Sequence, residues 1–128
     1  MLKKQIQTKE APEAIGPYSQ AIQAGEFVFY SGQIPLDPAT GTMVEGGIVE
    51  QTQRVMANMQ AVLHGSGREF SDVVKVTIYL TDLADFATVN EIYGGYFVEM
   101  PPARACVQVA ALPKGAQIEI DWIATAHS

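Results

Sequence analysis

Val74-Lys75-Val76-Thr77-Ile78-Tyr79-Leu80 places an apolar side chain at every second position, the pattern of a strand that turns one face toward a core. Thr81-Asp82 closes it, and Asp82 stands where it can N-cap a following helix. That helix is expected to carry Phe86, Val89, Tyr93, Tyr96 and Phe97 on one stripe. It should cross Gly94-Gly95 at a cost in propensity and end at Pro101-Pro102. Upstream, Thr52, Val55, Met56, Met59, Val62 and Leu63 recur at three- and four-residue steps and predict an earlier helix, stopped by Gly65 and Gly67. A loop from Leu36 to Gly47 precedes it, rich in turn residues. Toward the N-terminus, Lys4 to Thr8 reads as a short strand, and Ala21–Ala24 and Phe27–Ser31, split by Gly25-Glu26, as a hairpin. Ala103 to Ala110 and Gln117 to Thr125 are the last two strands, joined by the turn around Pro113-Lys114-Gly115.

The predicted order is therefore β-β-β-α-β-α-β-β, an α+β fold in which two helices can cover only one face of a sheet. The other face is apolar as well. Ile123 opposes Ile118, Ile120 and Trp122 in the last strand, and Ala105, Val107 and Val109 oppose Cys106 in the strand before it. Two-sided strands of this kind predict a homo-oligomer whose open sheet face packs against sister subunits, or alternatively a sandwich-like monomer.

At 128 residues, 48% hydrophobic and 17% charged, the chain has the size of one compact domain; no linker or repeat divides it, and residues 1–128 are expected to form a single domain. The longest stretch free of charged side chains, Val55 to Gly67, spans 13 residues, short of the roughly 18 needed to cross a bilayer. The N-terminal stretch lacks the apolar run of a secretion signal. Cys106 is the lone cysteine, so no internal disulfide can form, and a reducing cytoplasm is the expected location. Eight Lys and Arg against fourteen Asp and Glu give a net charge of −6, and the cations at positions 3, 4, 9, 54, 68, 75, 104 and 114 are scattered. Nucleic-acid binding, which needs a clustered basic patch, is not expected.

Arg104 is the first candidate for chemistry. It begins a mostly apolar strand, where a guanidinium needs an anion: a substrate carboxylate, or Glu119 or Asp121 in a structural ion pair. Glu119, between Ile118 and Ile120, has the same two readings. Cys106 reads as a small strand residue rather than a nucleophile, because His64 lies at a helix C-terminus and His127 in the terminal tail. Two histidines so far apart and one cysteine make no metal site.

Ile15-Gly16-Pro17-Tyr18-Ser19-Gln20, Tyr30-Ser31-Gly32-Gln33-Ile34-Pro35, Asp85-Phe86-Ala87-Thr88-Val89-Asn90 and Pro102-Ala103-Arg104-Ala105-Cys106-Val107, followed by Ile118-Glu119-Ile120, together resemble the RidA/YjgF/YER057c/UK114 family. The resemblance runs from about Ala11 to Ala124, and Pro-Ala-Arg ahead of Ile-Glu-Ile is its most specific part. It implies a chorismate-mutase-like α+β fold, a homotrimer with the sheets facing inward, and sites in clefts between subunits. It further implies hydrolysis of 2-aminoacrylate, 2-iminopropanoate and 2-iminobutanoate to 2-oxo acids and ammonia, with neither metal nor organic cofactor. In that reading Arg104 binds the substrate carboxylate, Glu119 places the attacking water, and Cys106 contributes its backbone. Tyr18, Ser31, Gly32 and Asn90 match further cleft positions. Ala105 stands where a serine is common, a position the family uses through its backbone. Rival readings are a regulatory module that binds a 2-oxo acid without turnover, an endoribonuclease or translation inhibitor, which the acidic balance disfavours, and a redox-controlled holdase as a secondary role.

Overall fold

The computed structural model describes residues 2–126, so His127 lies outside the described residues. Eight main elements follow in the predicted order: β1 (Lys3–Ile6), β2 (Ala21–Ala24), β3 (Phe27–Gln33), α1 (Ile48–Gly65), β4 (Val73–Leu80), α2 (Phe86–Gly94), β5 (Ala103–Gln108) and β6 (Ile118–Thr125). All six strands form one sheet in the order β1-β2-β3-β6-β4-β5. Only β4 and β5 pair in parallel, joined by the crossover through α2, and β5 is an edge strand. A single sheet excludes the sandwich-like monomer.

The period-two pattern of β4 holds from Val76 onward, with Val76, Ile78 and Leu80 fully buried. Val74, expected on the same face, is 38% exposed, because a register shift against β6 between Val73 and Lys75 puts Val73 in the core instead. Ile118, Ile120, Trp122 and Ala124 of β6 lie alongside the buried residues. Against this face packs α1, whose Val55, Met56, Met59, Val62 and Leu63 are completely shielded, each contributing about 1.5–3 kcal/mol of burial free energy. The helix ends in a Schellman motif. Arg68 N–H donates to Leu63 O (2.8 Å) and Gly67 N–H to His64 O (3.0 Å), and the required left-handed residue is Gly67 at φ 74°. Tyr30 stacks on Trp122 with ring centroids 4.7 Å apart, and its hydroxyl meets Ser66 Oγ at 2.6 Å, tying the end of α1 to β3.

The second helix departs from expectation. Asp82 caps only the 3-10 turn Leu83–Asp85, accepting from Ala84 N–H at 2.9 Å. α2 itself stops at Gly94 instead of running to Pro101-Pro102. Beyond it the chain tightens into i→i+3 bonds, Tyr96 N–H to Tyr93 O and Phe97 N–H to Gly94 O. Phe70 holds this turn, 5.0 Å from Tyr96 and 5.4 Å from Phe97. The aromatic stripe is thus real but only partly helical. Strand ends also differ from expectation: β1 begins one residue earlier, at Lys3, and stops at Ile6 instead of Thr8, β3 runs on past Ser31 to Gln33, and β5 stops at Gln108 instead of Ala110.

Among the described residues nothing covers the sheet face away from the helices. Phe27, Phe29 and Val107 on this face are 42%, 45% and 42% exposed. Among the described residues no helix is long and apolar enough to cross a membrane.

Candidate functional site

Two clusters of predicted site residues form, on opposite faces of the sheet. Arg104, the second residue of β5, is in register with Val76 and therefore projects toward the helix side. There α2 presents Phe86, Asn90 and Tyr93 at steps of four and three, one helical face. Arg104 Nη1 donates to Asn90 Oδ1 at 2.6 Å, and its guanidinium carbon lies 5.3 Å from the Phe86 ring centre and 5.1 Å from that of Tyr93. Cation–π contact and one charge-assisted hydrogen bond so fix the guanidinium while leaving most of its donors free. Asn90, Tyr93, Phe97, Pro101, Pro102 and Arg104 line a cavity of about 420 Å³ here, with no carboxylate in its wall. Burial pushes the Tyr93 phenol up to about 12, the nearby guanidinium opposing the shift.

Cys106, two residues along β5, lies on the same face and is half-buried. Burial pushes its thiol up and Arg104 only partly offsets this, so the group stays protonated at neutral pH. Val109 N–H donates to Leu80 O at 2.8 Å, which sets the phase of β5 hydrogen bonding. By the alternation of a parallel pair, the backbone groups of Arg104 and Cys106 point away from β4, toward the open edge.

Glu119, the second residue of β6, is in register with Tyr79 and leaves the sheet on the uncovered face. It is half-buried, and burial raises its pKa, with Asp121 adding repulsion. Asp121 accepts from the Tyr79 hydroxyl at 2.9 Å. The intrachain ion pair of Arg104 with Glu119 or Asp121 therefore does not form. Tyr18, Ser31, Gly32, Lys114 and Glu119 share the wall of a second cavity, of about 520 Å³. Ser31 is held by two bonds, Oγ to Ser19 O (2.5 Å) and N–H to Gln20 O (3.0 Å). Pairing of β3 with β6 is irregular between Tyr30 and Gln33, and here Gly32 admits the Glu119 carboxylate into the space a β-carbon would fill. Tyr18, about half exposed, accepts from Ile15 N–H at 3.4 Å.

Arg104, Asn90 and Cys106 thus assemble in one place and Tyr18, Ser31, Gly32 and Glu119 in another, while Ala105 faces the open side beside Thr77. The aromatic platform under Arg104 was missed as such in the sequence, where Phe86 and Tyr93 read only as core; their spacing around Asn90 was the available signal. Lys114 in the Glu119 cavity was missed too. Among the described residues no group of His, Cys, Asp and Glu is placed to hold a metal ion.

The profile of the family described as Endoribonuclease L-PSP matches residues 8–126. The chain is 62% identical over 126 residues to protein DfrA of Myxococcus xanthus, an overlap of 97% of this chain and 96% of that one. It is 49% identical over 124 residues to a Mus musculus protein named 2-iminobutanoate/2-iminopropanoate deaminase, covering 97% and 92% of the two chains. Among solved structures, E. coli TdcF with bound serine superposes at a TM-score of 0.91 and 43% identity, over 98% of this chain and 99% of that one. Sequence and backbone agree over nearly the whole length, and the chain belongs to the Endoribonuclease L-PSP family, that is, the YjgF/RidA family.

Proposed function

We propose that the protein is a cofactor-independent imine deaminase that hydrolyses small 2-imino acids, such as 2-iminopropanoate and 2-iminobutanoate, to 2-oxo acids and ammonia. Its active form is a homotrimer, in which the Arg104 cluster of one copy meets the Glu119 cluster of the next. The observation that carries this reading is the state of Arg104. Asn90 and two aromatic rings hold its guanidinium, and no carboxylate in its own cavity neutralises it, so its fork remains available to an anion. The names of the mouse and human relatives, at 49% and 48% identity, point to the same chemistry.

A protonated imine is electrophilic at C2 and needs an oriented water more than a strong nucleophile. Arg104 binds the carboxylate, and the outward amide of Cys106 lies within the same edge. Tyr18, Ser31 and Gly32 frame the approach to Glu119 from the other copy. Glu119 takes a proton from the water as its oxygen bonds to C2, and the resulting carbinolamine collapses when the proton is returned to nitrogen. The C–N bond breaks with its electron pair on nitrogen and ammonia leaves, while the Glu119 carboxylate takes the carbinolamine hydroxyl proton so that C2 becomes the carbonyl carbon of the 2-oxo acid. A carboxylate with a raised pKa suits this transfer. The protonated thiol of Cys106 takes no part.

A second reading draws support from the serine bound to TdcF: a module that holds a small carboxylate without turnover. Ammonia release from 2-aminoacrylate generated in the assay separates the two. The deaminase releases ammonia faster than buffer alone and Arg104→Ala does not; equal rates with and without the wild-type protein favour the module. Cleavage of RNA is disfavoured by the net charge of −6 and the scattered cations.

A further inference from the structure

Lys114 is the one residue other than glycine with a positive φ among the described residues, at φ 57° and ψ 22°. It sits between Pro113 and Gly115, itself left-handed at φ 72°. The turn is closed by Gly115 N–H to Leu112 O (3.3 Å) and Ala116 N–H to Pro113 O (3.1 Å), and buried Ala116 anchors it. Glycine would adopt this conformation without penalty, whereas a lysine is disfavoured there. What the lysine adds is its charge. It is the lone cation in the wall of the Glu119 cavity, whose other charged residues, Glu13 and Glu119, are acidic. The one ion pair among the described residues is His64 with Glu69, so no carboxylate there holds the Lys114 ammonium.

We propose that Lys114 is a substrate-capturing residue, a positive charge in the wall of the Glu119 cavity that draws anionic imino acids into a site on an otherwise acidic protein. This rests on the deaminase reading and adds to it a residue and a step. A 2-imino acid carries a carboxylate, and the chain carries a net charge of −6, so approach is opposed until a local cation reverses the field. The need is kinetic. An imine also hydrolyses in water unaided, so the enzyme contributes only where capture outruns that background. Lys114 acts on encounter, while Arg104 holds the carboxylate once bound.

The test measures kcat and KM for 2-iminopropanoate against ionic strength in wild type, Lys114→Gln, Lys114→Arg and Lys114→Gly. At about 0.01 M salt, where charges reach about 30 Å, Lys114→Gln is expected to lower kcat/KM by about 3- to 10-fold with kcat nearly unchanged. The gap should close at about 1 M salt, where the reach is about 3 Å. Lys114→Arg should restore the wild-type profile, and Lys114→Gly should lose capture like Gln while raising the melting temperature. Wild-type kcat/KM and salt slope in Lys114→Gln, or a loss confined to kcat, overturns the proposal. If Arg104→Ala abolishes turnover while Lys114→Gln changes nothing, the deaminase reading stands and this one fails. If the wild-type protein does not turn over at all, the deaminase reading fails, and the association rate of pyruvate decides for Lys114: a slower, salt-insensitive rate in Lys114→Gln upholds it, and an unchanged rate ends it.

Discussion

Arg104 and Glu119 stand on opposite faces of one sheet, with β4 between their strands: Arg104 shares its face with Val76, Glu119 with Tyr79. A single copy therefore cannot close both residues on one small substrate. Arg104→Ala and Glu119→Gln are each expected to be inactive alone. Refolded together in equal amounts, they should regain activity in about a quarter of sites, the product of two one-in-two choices at each interface. Light scattering should give about three times the 13.8 kDa chain mass. A fully active monomer, or mixtures as dead as their parents, would refute the shared site.

Replacing Arg104 by lysine keeps the charge and discards the planar fork. A bidentate carboxylate contact should weaken by about 1.5–3 kcal/mol, or about 10- to 150-fold in kcat/KM. Melting temperature and mass should hold, because Arg104 is exposed and, among the described residues, is held by Asn90 and the two rings. Loss of mass or stability with kcat/KM intact would make the arginine structural.

Cys106→Ala should keep most of the activity. Its thiol is pushed up by burial, so little thiolate exists at neutral pH, and in the proposed mechanism its contribution comes from a backbone amide that alanine retains. A fall of about three orders of magnitude in kcat with the assembly intact would point instead to covalent chemistry.

Gly32→Ala places a β-carbon in the space held by the Glu119 carboxylate. Either Glu119 swings out or β3 shifts. Activity should fall about 100-fold, as for displaced catalytic geometry, with secondary structure by circular dichroism unchanged. Wild-type turnover in this variant would show that the observed position of Glu119 is not the working one.

The raised pKa of Glu119 sets a sign for stability. Its folded form binds the proton more tightly than the unfolded chain, so its favourable share is complete below the unfolded value and is lost as pH rises through the folded one. Glu119→Gln removes that titration. The melting temperature of the variant relative to wild type should climb as pH rises upward from the ordinary carboxylate range, and a flat difference would contradict the shift.

Local periodicity made much of this fold legible. The alternation of Val76 to Leu80 and the three- and four-residue steps from Thr52 to Leu63 each name an element and its buried side, because the buried side is a property of one strand or one helix. Val74 was misplaced because the register shift beside it depends on pairing with β6. Arg104 and Glu119 stood out for the same reason, as charges in apolar strands. The end of α2 was not legible: the packing of Phe70 on Tyr96 and Phe97, from a distant turn, pulls the chain out of the helix after Gly94. Nor was the separation of Arg104 from Glu119. Alternation within a strand orders its own residues, but which face of one strand matches which face of another depends on register, and that is decided only when β5 pairs with β4 and β4 with β6.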